Sequence, residues 1–479
     1  MAAHLANGIP TRLLMWQRVR AYAVPLSMIE TSTVRRAAGD WAGACAAARV
    51  DVDLDLRAVR SRHGTEVTAQ LRADLRRLAP DLLRWHMPRI APDGRLRPGL
   101  TLTLARYRGA VPLQLVVRTP PAWADAGQRM ALALWEESGG RDPGHHPHPY
   151  PDRRFRLDLH RHLWDAGRSG ELALRCTGDS AWTDVSRRDG DSSWPEVPPR
   201  ADDSSWARGR WAAEAETLFR ADRLPRGAFT VRLGPRSRAV LELVAPDDSH
   251  APTVRPLRKE PPPQEVAALP VLPEAAARVL PDLELVRAGL VPVDRLHPLV
   301  AAALTAHGPA VATATDVAEV RDPHRVECRG EVHRIALRDG VLTAVDHDPG
   351  ELRREELLVA LGGPPLPCLR AIDAVHRNPE ELPAVRERLG HGDVVGALAV
   401  VEGLLGPGAV LRDGPLREEL ESAAARRLDH GRYRSGLVPE HPAAEVAEEE
   451  RRPRPDRRMP HEMRRRLSRR ARPRTGLPV

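Results

Sequence analysis

Lysine and asparagine are nearly missing from this 479-residue chain: Lys259 is the single lysine among 73 basic residues, and asparagine occurs only at Asn7 and Asn378. No Gly-x-x-x-x-Gly-Lys phosphate loop is therefore present, and Lys259 itself sits beside the run Pro261 to Pro263. Schiff-base and kinase-type lysine roles are not expected. Cysteine is scarce as well. Cys45, Cys176, Cys328 and Cys368 contain no Cys-x-x-Cys pair, which fits neither a disulfide scaffold nor a four-cysteine zinc module and points to a reducing cytoplasm. No apolar run approaches the ~20 residues that span a bilayer, and Arg12, Arg18 and Arg20 interrupt the N-terminus where a secretion signal would be continuous. The expectation is a cytoplasmic protein with no membrane partner. Gly-x-Ser-x-Gly and His-Glu-x-x-His are absent too. Gly390-x-Gly392-x-x-x-Gly396 has the wrong spacing for a dinucleotide loop and follows a helical stretch, so it reads as a helix turn and no cofactor is expected.

What is plentiful is proline and arginine. The 46 prolines are about twice the usual share of roughly 5%, so helices must be short and connections many. Hydrophobic residues at 42% and charged residues at 29% are ordinary globular usage. The net charge of +8 is local: residues 451 to 479 hold twelve arginines against Asp456 and Glu462, which leaves the preceding 450 residues slightly acidic.

Periodicity predicts the elements. Leu13, Trp16, Val19 and Tyr22 mark a helix over Thr11 to Ala23 ended by Pro25; Gly39 and Asp40 separate a second helix from a third at Trp41 to Arg49. Val67, Leu71, Leu75, Leu78 and Leu82 form a core-facing stripe, with Pro80 placed to open a new first turn. Alternation at Leu100, Leu102, Leu104 and at Leu113, Leu115, Val117 predicts a hairpin with one buried face, Pro112 marking an edge strand; Trp123 to Glu137 reads as helix. A short helix at Trp164, another reaching about Ala221, and a hairpin pairing Phe229, Val231 and Leu233 with Ala239, Leu241 and Leu243 follow. The fold class is α+β and multidomain, with short helical hairpins, several β-hairpins and a disordered basic C-terminal tail. The expected division is an N-terminal α+β domain over 1–137, a Pro/His-rich loop 138–152, an α+β subdomain 153–245, a Pro-rich linker 246–264, a mainly helical domain 265–436 with an inserted β-hairpin, and the tail 437–479.

Three constellations carry candidate chemistry. Asp339-Gly340 is a strong two-residue hairpin signal, and its register sets His333 opposite Asp346, Ile335 opposite Ala344 and Leu337 opposite Leu342. His333 and Asp346 are the candidate catalytic pair, against the alternative of a surface cross-strand ion pair. His145, His146, His148, His160 and His162 are candidate metal ligands, although prolines interrupt the first three and an exposed proline-rich loop is the favoured reading. Asp51, Asp53 and Asp55 share one strand face, where a solvated face or a helix cap is the default over a cation site. In the tail, Arg464, Arg465, Arg466, Arg469 and Arg470 are candidates for neutralising nucleic-acid phosphates without sequence preference. Cys45 falls on an Ala-rich helix face as a small buried thiol.

Gly39-Asp40-Trp41-Ala42-Gly43-Ala44-Cys45-Ala46 and Gly392-Asp393-Val394-Val395-Gly396-Ala397-Leu398-Ala399 share Gly-Asp-x-x-Gly-Ala-x-Ala, and both resemble the turn of tetratricopeptide-like helical hairpins, without the spacing of an array. With Trp16-Gln17-Arg18-Val19-Arg20-Ala21-Tyr22 and Leu82-Leu83-Arg84-Trp85-His86-Met87-Pro88 added, the chain resembles long proteins of high-GC actinobacteria, a resemblance that implies no activity and no catalytic residue. The leading expectation is an interaction or scaffold protein with a protein partner. The alternatives are non-specific nucleic-acid association through the tail and a metal-assisted enzyme using His333 and Asp346.

Overall fold

A computed structural model describes residues 9–109, 111–136, 146, 150–176, 206–234, 237–244, 251–257, 261–307, 325–328, 331–338, 341–344, 347–362, 367–369, 381–405 and 415–437. The basic tail beyond 437, with its candidate arginines, lies outside the described residues, as do His145, His148 and Asp346. The fold is α+β.

The N-terminal helices are delimited by local chemistry. Helix α1 (Thr11–Tyr22) stops ahead of Pro25, whose extended backbone opens α2 (Leu26–Ala37). Gly39 takes a left-handed φ of 78°, and Asp40 then caps α3 (Trp41–Ala47) by accepting a hydrogen bond from the Gly43 amide at 2.8 Å. Strand β1 (Val50–Asp53) follows. Asp55 caps α4 (Leu56–Arg77) by accepting from the Arg57 and Ala58 amides, the helix-cap role expected of it; Gly64 kinks α4, and Pro80 occupies the first turn of α5 (Pro80–His86).

Strands β2 (Thr101–Tyr107), β3 (Leu113–Arg118) and β4 (Met130–Glu136) complete a sheet of order β1-β4-β3-β2, in which β1 runs parallel to β4 and the rest are antiparallel. Three expectations change here. The Trp123 to Glu137 helix is instead two single turns (Ala122–Ala124 and Ala126–Gln128) and β4. Gly127 and Gln128 are both left-handed, which breaks any helix, and the large residues Met130, Leu132 and Leu134 alternate with alanine as a strand requires. Pro112 does not mark an edge: β3 is interior, and the proline sits one residue before its ladder begins. The β2–β3 hairpin is buried on both faces rather than one; Phe155, Leu157 and Trp164 share its core, and the 152–158 stretch hydrogen-bonds along the free edge of β2.

The main core joins α1 to α5 and this sheet to α6 (Glu171–Cys176) and to two distant helices. Around Trp164 the expected helix is a pair of single turns, Arg161–Leu163 and Ala166–Arg168. A second core forms where Trp211 and Phe219 of α7 (Trp211–Asp222) pack on Phe229 and Leu241 of the sheet β5 (Ala228–Arg232), β6 (Arg238–Val244) and β7 (Thr253–Pro256). The expected hairpin is observed, with a register that sets Phe229 opposite Leu241 and Val231 opposite Ala239. The stretch 246–264 is not only a connector, since β7 lies within it on the sheet's edge, where flanking Pro252 and Pro256 are tolerated.

Beyond that stretch the chain returns to both cores, so its contacts do not follow the expected division. Helices α8 (Pro263–Ala268) and α9 (Glu274–Ala277) are followed by α10 (Pro281–Arg287) and α11 (Pro298–His307); Leu272 and Ala276 join the second core, Leu285 and Val300 the first. Strands β8 (Arg325–Cys328), β9 (Glu331–Arg338) and β10 (Val341–Ala344) form a three-stranded sheet in which Leu337 pairs with Leu342 and Ile335 with Ala344, the register expected from the Asp339-Gly340 turn. After α12 (Pro349–Ala360), helices α13 (Glu381–Gly390), α14 (Val394–Leu405) and α15 (Pro415–Arg434) make a small core from Val385, Leu389, Ala397, Val401 and Ala423. The α13–α14 turn reproduces the α2–α3 turn: Gly392 has φ 80°, and Asp393 accepts from the Gly396 amide. Among the described residues no helix is long and apolar enough to cross a membrane.

Candidate functional site

The residues singled out in the sequence do not come together. His333 lies on β9 opposite Val326, and its ring packs on His347 with centroids 4.3 Å apart; its expected partner Asp346 is outside the described residues. His146 is buried with Nε2 2.9 Å from the Thr119 carbonyl. His160 and His162 are not on a strand but on a single helical turn: His160 lies 3.1 Å from Glu214, His162 packs edge-on against it, and both are buried. Burial pushes the Glu214 carboxyl up, yet His160 and then Arg175 outweigh it and hold the group down at about 2. Among the described residues no group of three or more His, Cys, Asp or Glu is arranged to hold a metal.

Another buried chain, Ser32–Asp81–His297, has the wrong order for nucleophilic catalysis. Ser32 donates to Asp81 at 3.0 Å, His297 meets the other Asp81 oxygen at 3.1 Å, and the Leu299 amide donates to His297 Nδ1. The hydroxyl thus rests on the acid and not on the base, and all three side chains are buried. Cys45 is buried, and burial together with Asp40 pushes its thiol up to about 12, so it is no nucleophile.

The structure builds a different site from arginines. A cleft of about 310 Å³ opens between the β1–β4 end of the first sheet and the C-terminal helices, lined by Arg49, Gly127, Arg129, Gly392, Arg427 and His430. Arg49 stands at the α3–β1 junction and reaches across to the His391 carbonyl (2.9 Å) and to Asp393 (3.3 Å). Arg129, just before β4, forks onto Asp51. From α15, His430 approaches the Ala124 carbonyl at 3.0 Å and Asp51 at 3.3 Å, while Arg434 clamps Asp53 with two contacts of 2.6 Å. Asp51 and Asp53 are therefore ligands of arginine rather than of a cation.

Behind this wall lie two further guanidiniums. Arg84 of α5 is fully buried; it donates to the carbonyls of Ala23 (3.2 Å) and Gln128 (2.6 Å), its Nη2 has no partner, and no carboxylate touches it among the described residues. Arg89 donates to the Arg84 carbonyl, and its buried Nε and Nη1 are likewise unpartnered there. Burial first, then repulsion from Arg49, Arg89 and Arg129, drives Arg84 well below arginine's ordinary value; burial and Arg20 lower Arg89 to about 9. A guanidinium keeps its proton under such pressure, so the shifts measure electrostatic strain that an anion beside them would relieve.

Backbone geometry makes the approach of the two bodies possible. A Cβ on Gly392 would strike the Gly127 carbonyl, so a glycine at 392 is what lets the α13–α14 turn touch the loop ahead of β4. Sequence reasoning missed this site because its arginines are spread from 49 to 427 among 72 in the chain. The one local signal is the Gly390-to-Gly396 turn, whose spacing by itself reads as a helix turn. Comparison with family models, curated proteins and solved structures finds no match.

Proposed function

We propose that the chain is a binding protein that holds a small oxyanion in the arginine cleft between its first sheet and its C-terminal helices. The observation that carries this reading is the convergence of Arg49, Arg129 and Arg427 on one cleft, backed by Arg84, a guanidinium wholly out of water that faces carbonyls only. Burying an uncompensated charge is costly, and arginine forks match the oxygens of phosphate or carboxylate. Calorimetric titration of the full chain with inorganic phosphate tests it. Saturable binding that weakens with added salt and is lowered about tenfold by Arg427→Gln is expected. The absence of any saturable heat at millimolar phosphate refutes it.

A protein-interaction role is the second reading, supported by the exposed run Leu357, Leu358, Val359 and Leu361 at the end of α12, where Leu361 is 87% exposed. Cys45, a buried free thiol, supports a reducing compartment such as the cytoplasm.

A further inference from the structure

We infer that the group the cleft takes is a phosphoryl anion of diphosphate size, carrying two or more negative charges, and not a monocarboxylate. The inference rests on the oxyanion reading and specifies its ligand.

Charge comes first. Arg49, Arg129 and Arg427 line the cleft, Arg84 and Arg89 stand buried behind them, and the carboxylates in contact with these five guanidiniums among the described residues are Asp51 and Asp393. Both carboxylates are already committed, Asp393 to Arg49 and Arg388 and Asp51 to Arg129 and His430, which leaves a surplus of positive charge. A monocarboxylate would leave most of the surplus standing, whereas a diphosphate answers it in one ligand.

Direction comes second. The lining guanidiniums arrive from three places, the α3–β1 junction, the loop ahead of β4, and α15. One arginine fork satisfies a planar carboxylate, but donors converging from several sides suit the tetrahedral oxygens of phosphoryl groups.

Size and lining come third. About 310 Å³ is at the small end of ligand pockets, enough for a diphosphate and too little for a whole dinucleotide. Among the described residues the one ring in the lining is His430, which offers no aromatic platform on which a base would stack. The site therefore reads the charged group and leaves whatever is attached to it outside.

Calorimetry on the full chain at one fixed ionic strength tests this, with inorganic pyrophosphate, inorganic phosphate, adenosine diphosphate, malonate and acetate as probes. Pyrophosphate is expected to bind at least tenfold more tightly than phosphate, adenosine diphosphate within about threefold of pyrophosphate, and acetate without saturation. Arg427→Gln should weaken pyrophosphate tenfold or more, while Arg417→Gln, on the same helix outside the cleft, leaves it unchanged. Malonate binding as tightly as pyrophosphate overturns the phosphoryl assignment and leaves the oxyanion reading standing. Adenosine diphosphate binding tenfold more tightly than pyrophosphate overturns the claim that the charged group alone is read. Binding by none of the five removes the oxyanion reading itself.

Discussion

Arg84 and two histidines show how burial sets the behaviour of single residues in this protein. Arg84 stays charged and unpaired, and so creates a demand. His86 and His162 meet burial in the opposite way, by staying neutral. Burial pulls both well below histidine's ordinary value, assisted by Arg20 and His297 at His86 and by His160 and Arg175 at His162. The unfolded chain binds protons at these positions near pH 6.5 while the folded chain does not, so folding stability is flat above that pH. It should fall below it by up to about 1.4 kcal/mol per pH unit for each histidine. Denaturant melts between pH 7 and 5 check this, and His162→Gln should make the slope distinctly shallower without abolishing it, since burial lowers His391 as well; an unchanged slope would show that other groups set it. The ordinary explanation offered by the sequence for Cys45, a small buried thiol on an Ala-rich helix face, holds for the same reason of burial.

Among the elements, the two Gly-Asp helix turns form a natural control for one another. Gly39 and Gly392 have nearly the same left-handed φ, yet a Cβ on Gly39 meets nothing within 4 Å whereas one on Gly392 strikes the Gly127 backbone. Gly39→Ala should therefore cost only the left-handed penalty of about 1 kcal/mol, and Gly392→Ala distinctly more, about 2 kcal/mol or above, with α13–α15 becoming susceptible to protease. Equal losses for the two variants would mean that the glycine contact does not hold these helices. Most elements were legible because their signals are short-range: Asp40 and Pro80 mark helix starts, and the Asp339-Gly340 turn sets the β9–β10 register. Strand β4 was not, since Met130 to Glu136 is rich in helix-forming Ala and Leu and only pairing with β3 and β1 decides its state. Strand β7 was hidden in a proline-rich stretch because an edge strand needs only one side of its ladder.

For the whole molecule, the C-terminal helices meet the first body mainly through polar contacts. Arg49–Asp393, His430–Asp51, Arg434–Asp53 and Arg18–Glu387 cross the boundary, with Trp123 edge-on to Tyr433. An interface of this kind is weaker than an apolar one and responds to charge. Pyrophosphate bound among Arg49, Arg129 and Arg427 should join both sides and slow amide exchange throughout α13–α15, leaving the β5–β7 sheet unaffected. Exchange slowed equally everywhere, or nowhere in α13–α15, would show that the ligand does not bridge the two bodies. The sequence alone determined the α+β class, the short helices and their caps, and the hairpin registers, since each depends on residues a few positions apart. Only the tertiary structure decided which of 72 arginines converge, because that convergence comes from chain segments hundreds of residues apart, drawn together by buried cores and by the close approach of Gly392 to the Gly127 backbone, and no local pattern records it.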